Sequence, residues 1–598
     1  MRRRTFLATL PLAAASSPTR ALGALSAPSR APIASQTDAG LGRLDVHAGD
    51  RITGANFASR SVVWGTGGAV ATAHPLATLV GLDILRSGGS AIDAAVATNA
   101  ALGFLEPVSC GVGGDCFAMV WDPKAGRLFG LNGSGRSPRS LTLAMQRQRA
   151  VNGLIAPFGA VAVSTPGAVD AWWTLHQRFG RLKWSELFAP AIELAQAGAP
   201  VPQTIAYYLA TSYRVFTRPN SGIEEIENFK KVWAPEGRTP AEGEVFANPD
   251  LARTYRLIAE GGRDAFYNGE IAEVIDRYFK RIGGWLSNAD LAAHHSEWVE
   301  PRSTNYRGVD VWALPPNSQG LSTLQILNIL ENFDLKGMGF QSVASVHTQV
   351  EAKRLAFEDR AKYFADPDFA RIPIDWLISK QYAAERARLI KPDSIISPVY
   401  PGEAPSHGDT TYFCVADKDG MMVSMIQSNY RGMGSGLSPD GLGFMLQDRG
   451  ELFSLKDGAA NIYAPGKRPF QTIIPGFATR AGAPWLAFGV MGGDMQPQGQ
   501  AQVMVNMIDY GLALQEAGDS PRWHHEGSTE PTGEPQHGIG LLHLERGVPE
   551  STWRGLAAIG WRFGPSDGGF GGYQAIEKWP GRWGAASEMR KDGLALAY

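Results

Sequence analysis

Two apolar segments that follow one another in the second half of the chain restrict its fold most strongly. TTYFCVA begins at Thr410 and MMVSMIQS begins at Met421, and both are apolar at odd and even positions alike. Strands with that pattern are covered on both faces. Lys418, Asp419 and Gly420 lie between the two segments and are typical of a hairpin turn. The pattern predicts a buried antiparallel hairpin within stacked α and β layers.

The chain before this hairpin has mainly helical patterns with interspersed strands. The segment from Gly65 predicts a strand, a helix that stops at Gly88-Gly89, and a second apolar helix. Further helices are predicted after Pro166-Gly167 and from Val346 to Phe364. Mixed content of this kind indicates a layered α/β fold.

Two arginines near the N-terminus precede a short apolar run. Arg3 and Arg4 are followed by apolar residues up to Ala15, a run too short to span a bilayer permanently. The pattern resembles a twin-arginine export signal, and a basic disordered tail is the alternative. We therefore expect residues 1–35 to be a signal and flexible tail, the protein to be exported or periplasmic, and no stable membrane insertion.

The composition excludes several classes of function. The 56 basic and 58 acidic residues leave a net charge of −2, so no broad attraction to nucleic acid or anionic membrane is expected. Three cysteines exclude a disulfide framework and lack zinc spacing, although Cys110 and Cys116 could form one bridge. The adjacent pairs His294-His295 and His524-His525 lack the i, i+4 spacing of a helical metal site. We expect no metal, no cofactor and a small-molecule partner.

The start of the hairpin is a candidate nucleophile. A cut between Asp409 and Thr410 would free an α-amine with a pKa of roughly 7.7–8.0, which could serve as a general base without histidine or metal. A three-residue hairpin loop places Thr410 opposite Ser428, and a two-residue loop places it opposite Asn429. Either side chain could orient the threonine hydroxyl. The alternative is that the threonines only begin a strand, because threonine favours strands.

Several segments resemble the γ-glutamyltransferase (γ-glutamyl transpeptidase) family, in the same order along the chain. TTYFCVADKDG resembles the start of that family's small subunit, and PGKRP, Gly492-Gly493 and NMIDYGLALQEAGDSPRWHH resemble motifs downstream of it. The segments that resemble the family's large-subunit motifs are ATAHPLATLVGLDILRSGGSAIDAAVA, EPVSCGVGGDCFAMV, STPGAV, HQRFGRLKW and DRAKYFADPDF. The similarity runs from about Gly65 to about Trp561 and is specific.

This resemblance implies an N-terminal-nucleophile hydrolase with a four-layer αββα sandwich and no cofactor. It also implies a precursor that cuts itself, with residues 36–409 as the large subunit and residues 410–598 as the small subunit. The two fragments would stay associated. The Thr410 hydroxyl would attack the Asp409 carbonyl during maturation.

The resemblance also implies roles for the remaining catalytic candidates. Thr410 would attack amide substrates and form an acyl-enzyme. Ser428 matches a threonine whose hydroxyl supports the nucleophile, and Gly492 and Gly493 match glycines of an oxyanion hole. Backbone N–H donors at a developing oxyanion are usually the largest electrostatic contribution to such catalysis.

The substrate-binding positions differ from those of true γ-glutamyl transferases. Ser134 stands where the family has an arginine for the substrate α-carboxylate, and Leu452 where it has an acidic residue for the α-amino group. This combination resembles the cephalosporin-acylase-like and oxamate-amidohydrolase-like branch more closely. The candidate substrate-binding residues are Arg136, Asn429, Arg449, Gln471 and Thr472.

These departures predict an amide hydrolase that does not use a standard γ-glutamyl substrate. Two alternatives stay open. The first is a genuine γ-glutamyltransferase or glutathione hydrolase, and the second is a catalytically silent periplasmic binding protein on the same fold.

Overall fold

The computed structural model describes residues 46–47, 50–51, 58–401, 411–533 and 535–598. The predicted cleavage residues Asp409 and Thr410 and the predicted signal in residues 1–35 lie outside the described residues. The division into subunits at residue 409 therefore stays a prediction.

The described elements alternate between helices and strands along the chain. The strands are β1 Val46–His47, β2 Asp50–Arg51, β3 Val63–Gly65, β4 Gly68–Thr72, β5 Asp115–Asp122, β6 Arg127–Gly133, β7 Ala199–Pro200, β8 Val245–Phe246, β9 Glu297–Val299, β10 Arg302–Tyr306, β11 Val309–Ala313, β12 Thr411–Asp417, β13 Met422–Ser428, β14 Gly476–Arg480, β15 Ala483–Val490, β16 Trp523–Glu526, β17 Leu541–Leu544, β18 Tyr573–Trp579, β19 Arg582–Ser587 and β20 Leu594–Ala597. The α-helices are α1 Pro75–Arg86, α2 Ala91–Leu105, α3 Leu143–Gln148, α4 Ala168–Phe179, α5 Ala189–Ala197, α6 Gln203–Phe216, α7 Glu227–Trp233, α8 Pro249–Tyr267, α9 Glu270–Ile282, α10 Asn288–Ala292, α11 Gly320–Leu330, α12 Leu335–Met338, α13 Val343–Tyr363, α14 Ile374–Leu377, α15 Lys380–Ala387, α16 Met495–Ile508, α17 Leu514–Asp519 and α18 Glu550–Ile559. Short 3₁₀ helices span Ala160–Ala162, Trp184–Phe188 and Arg449–Leu452.

The predicted hairpin lies within a seven-stranded antiparallel sheet of order β20-β4-β12-β13-β5-β6-β9. Thr411 pairs with Gln427 and Ala416 pairs with Met422. The Asp417 N–H donates to the Met421 carbonyl at 3.1 Å, which closes a three-residue loop. The register is the one that the three-residue loop predicts, and the two-residue alternative is wrong.

A second seven-stranded antiparallel sheet, of order β10-β11-β14-β15-β18-β19-β3, packs on the first. Apolar side chains of both sheets interdigitate between them, among them Cys414, Ile426, Phe477 and Ile576. Helices that include α1, α2 and α4 cover the outer face of the first sheet, and α11, α13 and α16 cover that of the second. The four-layer αββα fold that the resemblance implied is confirmed.

The second predicted helix, α2, is anchored to the central hairpin at its first turn. Ser90 and Asp93 form a reciprocal capping box at the start of α2, which satisfies two orphan N–H groups. The helix is buried on all sides, as its uniformly apolar sequence indicates. The Ala91 N–H donates to the Asp417 carboxylate at 3.0 Å, so the start of α2 is tied to the turn of the central hairpin.

The three cysteines are buried as free thiols, and burial raises the pKa of each of them. No helix in the described part of the chain has the length and apolar character needed to cross a membrane. Within the same ranges, no three His, Cys, Asp or Glu side chains are grouped so that they could hold a metal ion.

Candidate active site

Ser428 ends the central strand β13 and stabilises the turn that follows it. The residue is fully buried, and its Oγ accepts a hydrogen bond from the Tyr430 N–H at 2.8 Å. Tyr430 has a φ of +82°, a left-handed conformation that costs a non-glycine residue about 1–3 kcal/mol. Asn429, between them, donates its side-chain amide to the Cys110 carbonyl at 3.3 Å. The hydrogen bond of Ser428 therefore helps to hold a strained turn in place.

Gly492 and Gly493 form the turn between β15 and α16. Their φ angles are +111° and +59°, which favour glycine at both positions. The Gly492 carbonyl accepts from the Met495 N–H at 2.9 Å, and the Gly493 carbonyl accepts from the Gln496 N–H at 3.1 Å. Both carbonyls therefore bond into the first turn of α16, at the helix end whose dipole favours negative charge.

A buried network connects the glycine turn to two candidate substrate-binding residues. Gln319 donates its amide to the carbonyls of Thr472 at 2.8 Å and Gly493 at 3.1 Å, and its Oε1 accepts from Arg360 at 2.6 Å. Arg449 donates to the Thr472 Oγ1 at 2.8 Å. Arg449 and Thr472 thus belong to the same network as the glycine turn.

Asp115 is an acidic residue of this site that the sequence analysis missed. It lies opposite Ser428 in the β13–β5 pair and is fully buried. Its carboxylate accepts from the Gly135 N–H at 3.0 Å and from the Gln471 amide at 2.6 Å. Burial raises the pKa of Asp115 to about 6, although the positive charge of Arg449 opposes that rise. The sequence signal that could have identified Asp115 is its place at the start of the otherwise apolar run DCFAMV.

Arg136 lies in a different cluster of charges. Its guanidinium contacts Asp366 at 3.1 Å, Asp368 at 2.8 Å and Glu297 at 3.4 Å. It lines a small separate cavity together with His294. The structure therefore groups Arg449, Gln471 and Thr472 around the glycine turn and Ser428, and it does not place Arg136 there.

A cavity of about 160 Å³ borders Gly492 and Tyr430. Burial lowers the pKa of His524, which lines this cavity, to about 4, so its imidazole is neutral at pH 7. In the sequence, His524 belongs to an adjacent pair without metal-site spacing, and no local pattern distinguishes Lys591 or Asp50. The remaining lining residues include Asp50, Glu106, Val108, Ser109, Ile205, Tyr208, Met491 and Lys591.

Comparisons with known proteins extend over most of the chain. The family model described as Gamma-glutamyltranspeptidase matches residues 77–598. The glutathione hydrolase-like YwrD proenzyme of Bacillus subtilis (strain 168) is 37% identical over 466 residues, which cover 78% of this chain and 86% of that protein. The acylase ACY 1 proenzyme of Pseudomonas sp. (strain SE83) is 34% identical over 547 residues, which cover 89% of this chain and 94% of that protein.

Solved structures show the same similarity in three dimensions. The crystal structure of cephalosporin acylase from Bacillus halodurans matches with a TM-score of 0.83 and 41% sequence identity. The match covers 91% of this chain and 98% of that one.

Proposed function

Because this chain belongs to the Gamma-glutamyltranspeptidase family and is a hydrolase or acylase of that family, we propose that it is a self-processing amidohydrolase with Thr410 as its nucleophile. Relatives named proenzymes imply a precursor that is processed into two chains. The observation that supports the proposal most directly is the register of β12 with β13. Continued by one residue, that register would bring the Thr410 hydroxyl beside Ser428.

In the proposed reaction, the α-amine of Thr410 accepts the proton of its own hydroxyl as the oxygen attacks the substrate amide carbon. The N–H groups of Gly492 and Gly493 stabilise the negative charge on the carbonyl oxygen. The protonated amine then gives its proton to the leaving amine, and the carbon–nitrogen bond breaks. Water attacks the resulting ester in the same way, which releases the acid and restores Thr410.

Positions 134 and 452, where the family has charged partners for a γ-glutamyl group, hold uncharged residues here. The Ser134 Oγ donates to Asn132 at 2.7 Å, and Leu452 is buried as part of an apolar cluster. Glu451, the acid next to Leu452, accepts two bonds from Arg431, at 2.6 and 2.7 Å. The two family positions therefore offer no charge to an α-carboxylate or an α-ammonium group, and burial of an unpaired charge is heavily penalised. We propose an acyl group with one carboxylate and no α-amino group, such as a glutaryl group or a dicarboxylic-acid monoamide.

Denaturing electrophoresis and N-terminal sequencing test the nucleophile. Wild-type protein should give two fragments, and the smaller should begin Thr-Thr-Tyr-Phe. The Thr410→Ala variant should stay one chain because the attacking hydroxyl is gone. A small fragment that begins at Thr411, or cleavage of the variant, would contradict the assignment. Wild-type protein that remains one chain would favour the silent binding protein.

Substrate choice is tested by kcat/KM for γ-glutamyl-p-nitroanilide, glutaryl-p-nitroanilide and oxamate. The γ-glutamyl compound should be a poor substrate. If it is clearly the best of the three, the protein is a glutathione hydrolase, the activity named for several relatives.

We also propose export by the twin-arginine route, on the basis of Arg3 and Arg4. Replacing both arginines by lysine should leave the protein in the cytoplasm, as fractionation of expressing cells would show. Unchanged export of that variant would exclude this route.

A further inference from the structure

The carboxylate of Asp50 lies in one wall of the cavity beside Gly492. Asp50 is only 2% exposed, and one of its oxygens lies 2.6 Å from the Lys591 ammonium. Its other oxygen accepts from the Phe570 N–H at 2.7 Å. Lys591 also donates to the Tyr208 hydroxyl at 3.3 Å. Asp50, Tyr208 and Lys591 all line the cavity.

These donors form a site of the kind that recognises carboxylates. An ammonium and a backbone N–H that converge on one carboxylate make charge-assisted hydrogen bonds, which are stronger than neutral ones. Lys591, Phe570 and Tyr208 lie within the family-matched residues 77–598, whereas Asp50 precedes them. Residues within the family-matched range therefore build the site, and Asp50, which lies before that range, occupies it.

The carboxylate site adjoins the predicted oxyanion hole. A Cβ added at Gly572 would lie 2.6 Å from the Lys591 Cγ, so the lysine stem packs directly on this glycine. A Cβ added at Gly492 would lie 3.0 Å from the Cα of Gly571. The loop that supports Lys591 therefore also supports the glycine turn.

Lys591 lines the cavity, and the two arginines considered earlier are placed differently. Arg136 lines another cavity. The guanidinium of Arg449 is fully buried, 5.2 Å from the centre of the ring of Tyr430, a residue that lines the cavity. An acyl group that entered the cavity would meet Tyr430 and Lys591.

We propose that Lys591, the Phe570 N–H and the Tyr208 hydroxyl form the subsite for a carboxylate at the end of the substrate acyl group, and that Asp50 competes for it. The inference rests on the proposed amidohydrolase function. A substrate carboxylate that replaces Asp50 keeps the ammonium paired, whereas an uncharged acyl group makes no such pair. Asp50 thus lowers the preference of the enzyme for acidic acyl groups.

The test compares two anilides that differ only at the end of the acyl chain. Glutaryl-p-nitroanilide ends in a carboxylate, and pentanoyl-p-nitroanilide ends in a methyl group at the same position. Asp50→Asn keeps an oxygen for the Phe570 N–H but removes the charge. Its ratio of kcat/KM, glutaryl over pentanoyl, should rise by about 10-fold or more, because the Asp50 charge no longer competes with the substrate for Lys591. Glu550→Gln, which removes an exposed ion pair with Arg554, is the control and should leave the ratio unchanged.

Lys591→Met should shift the same ratio in the opposite direction. It removes the ammonium and leaves the Asp50 carboxylate to repel the substrate, so the ratio should fall by about 10-fold or more. This variant decides the question if Asp50→Asn does not fold. An unchanged ratio in a folded Asp50→Asn or Lys591→Met variant overturns the proposal.

Calorimetry with free glutarate separates this proposal from the proposed function. Glutarate should bind Asp50→Asn about 10-fold more tightly than wild type, and Lys591→Met more weakly than wild type. If the wild type cleaves neither anilide, the proposed function fails, and glutarate binding still decides the subsite. Equal glutarate affinity in wild type and both variants would overturn the subsite even in an active enzyme.

Discussion

Replacement of Ser428 by alanine removes one buried hydroxyl next to the predicted nucleophile. The Tyr430 N–H then loses its acceptor at 2.8 Å, and a buried N–H left without a partner costs about 1–3 kcal/mol. The left-handed φ of Tyr430 stores strain of about the same size. We therefore expect the turn to relax and the ring of Tyr430 to shift in the cavity.

The loss of activity expected for Ser428→Ala is larger than its loss of stability alone would cause. If the Ser428 hydroxyl supports Thr410, both maturation and turnover should slow by about 10–1000-fold. That range corresponds to about 1.4–4 kcal/mol of transition-state stabilisation. The assay follows the cleaved fraction by electrophoresis over time, and then kcat of the matured protein on its best anilide.

Ser424 offers a matched control on the same face of β13. It is also fully buried, and its Oγ donates to the Gly476 carbonyl at 2.8 Å. Ser424→Ala should lose a comparable 1–3 kcal/mol or so of stability, yet keep kcat within about 3-fold. Equal losses of kcat in both variants, or unchanged kcat in a folded Ser428→Ala variant, would refute a catalytic role for Ser428.

Three further predictions concern the surroundings of the site. Burial raises the pKa of Asp115 from 3.8 to about 6, so its contribution to stability is present below about pH 4 and is lost as the pH rises through about 6. The free energy of unfolding falls by about 3 kcal/mol over this pH range. The unfolding temperature of Asp115→Asn should therefore depend less on pH in this range than that of the wild type. Gly492→Ala should lower kcat by about 100-fold or more, because the φ of Gly492 is +111° and the new Cβ would press on the Gly571 backbone. If the variant keeps the kcat of the wild type, the turn is not the oxyanion hole. Arg449→Met should lower kcat/KM on glutaryl-p-nitroanilide by about 10-fold or more, because it removes the donor to Thr472 in the network of the glycine turn. Arg136→Met should change it less than about 3-fold, and the reverse order would place Arg136 in the site instead of Arg449.

Local patterns in the sequence determined the central hairpin and the helices that cover it. Alternation of apolar residues and the turn at Lys418–Gly420 set β12 and β13, and the structure confirms the three-residue loop. The pair Gly88-Gly89 and the capping residues Ser90 and Asp93 set the boundary between α1 and α2. These features depend on residues a few positions apart, so short-range periodicity and turn chemistry suffice to predict them.

Only the tertiary structure decided which charged groups surround the site. Arg136 and Arg449 were equivalent candidates in the sequence, and packing puts Arg136 among three carboxylates and Arg449 beside Thr472. Asp50 and Phe570 are 520 positions apart, yet they share a hydrogen bond at the cavity wall. Such contacts arise from the way whole layers pack, and no local pattern of residues records which distant side chains will meet.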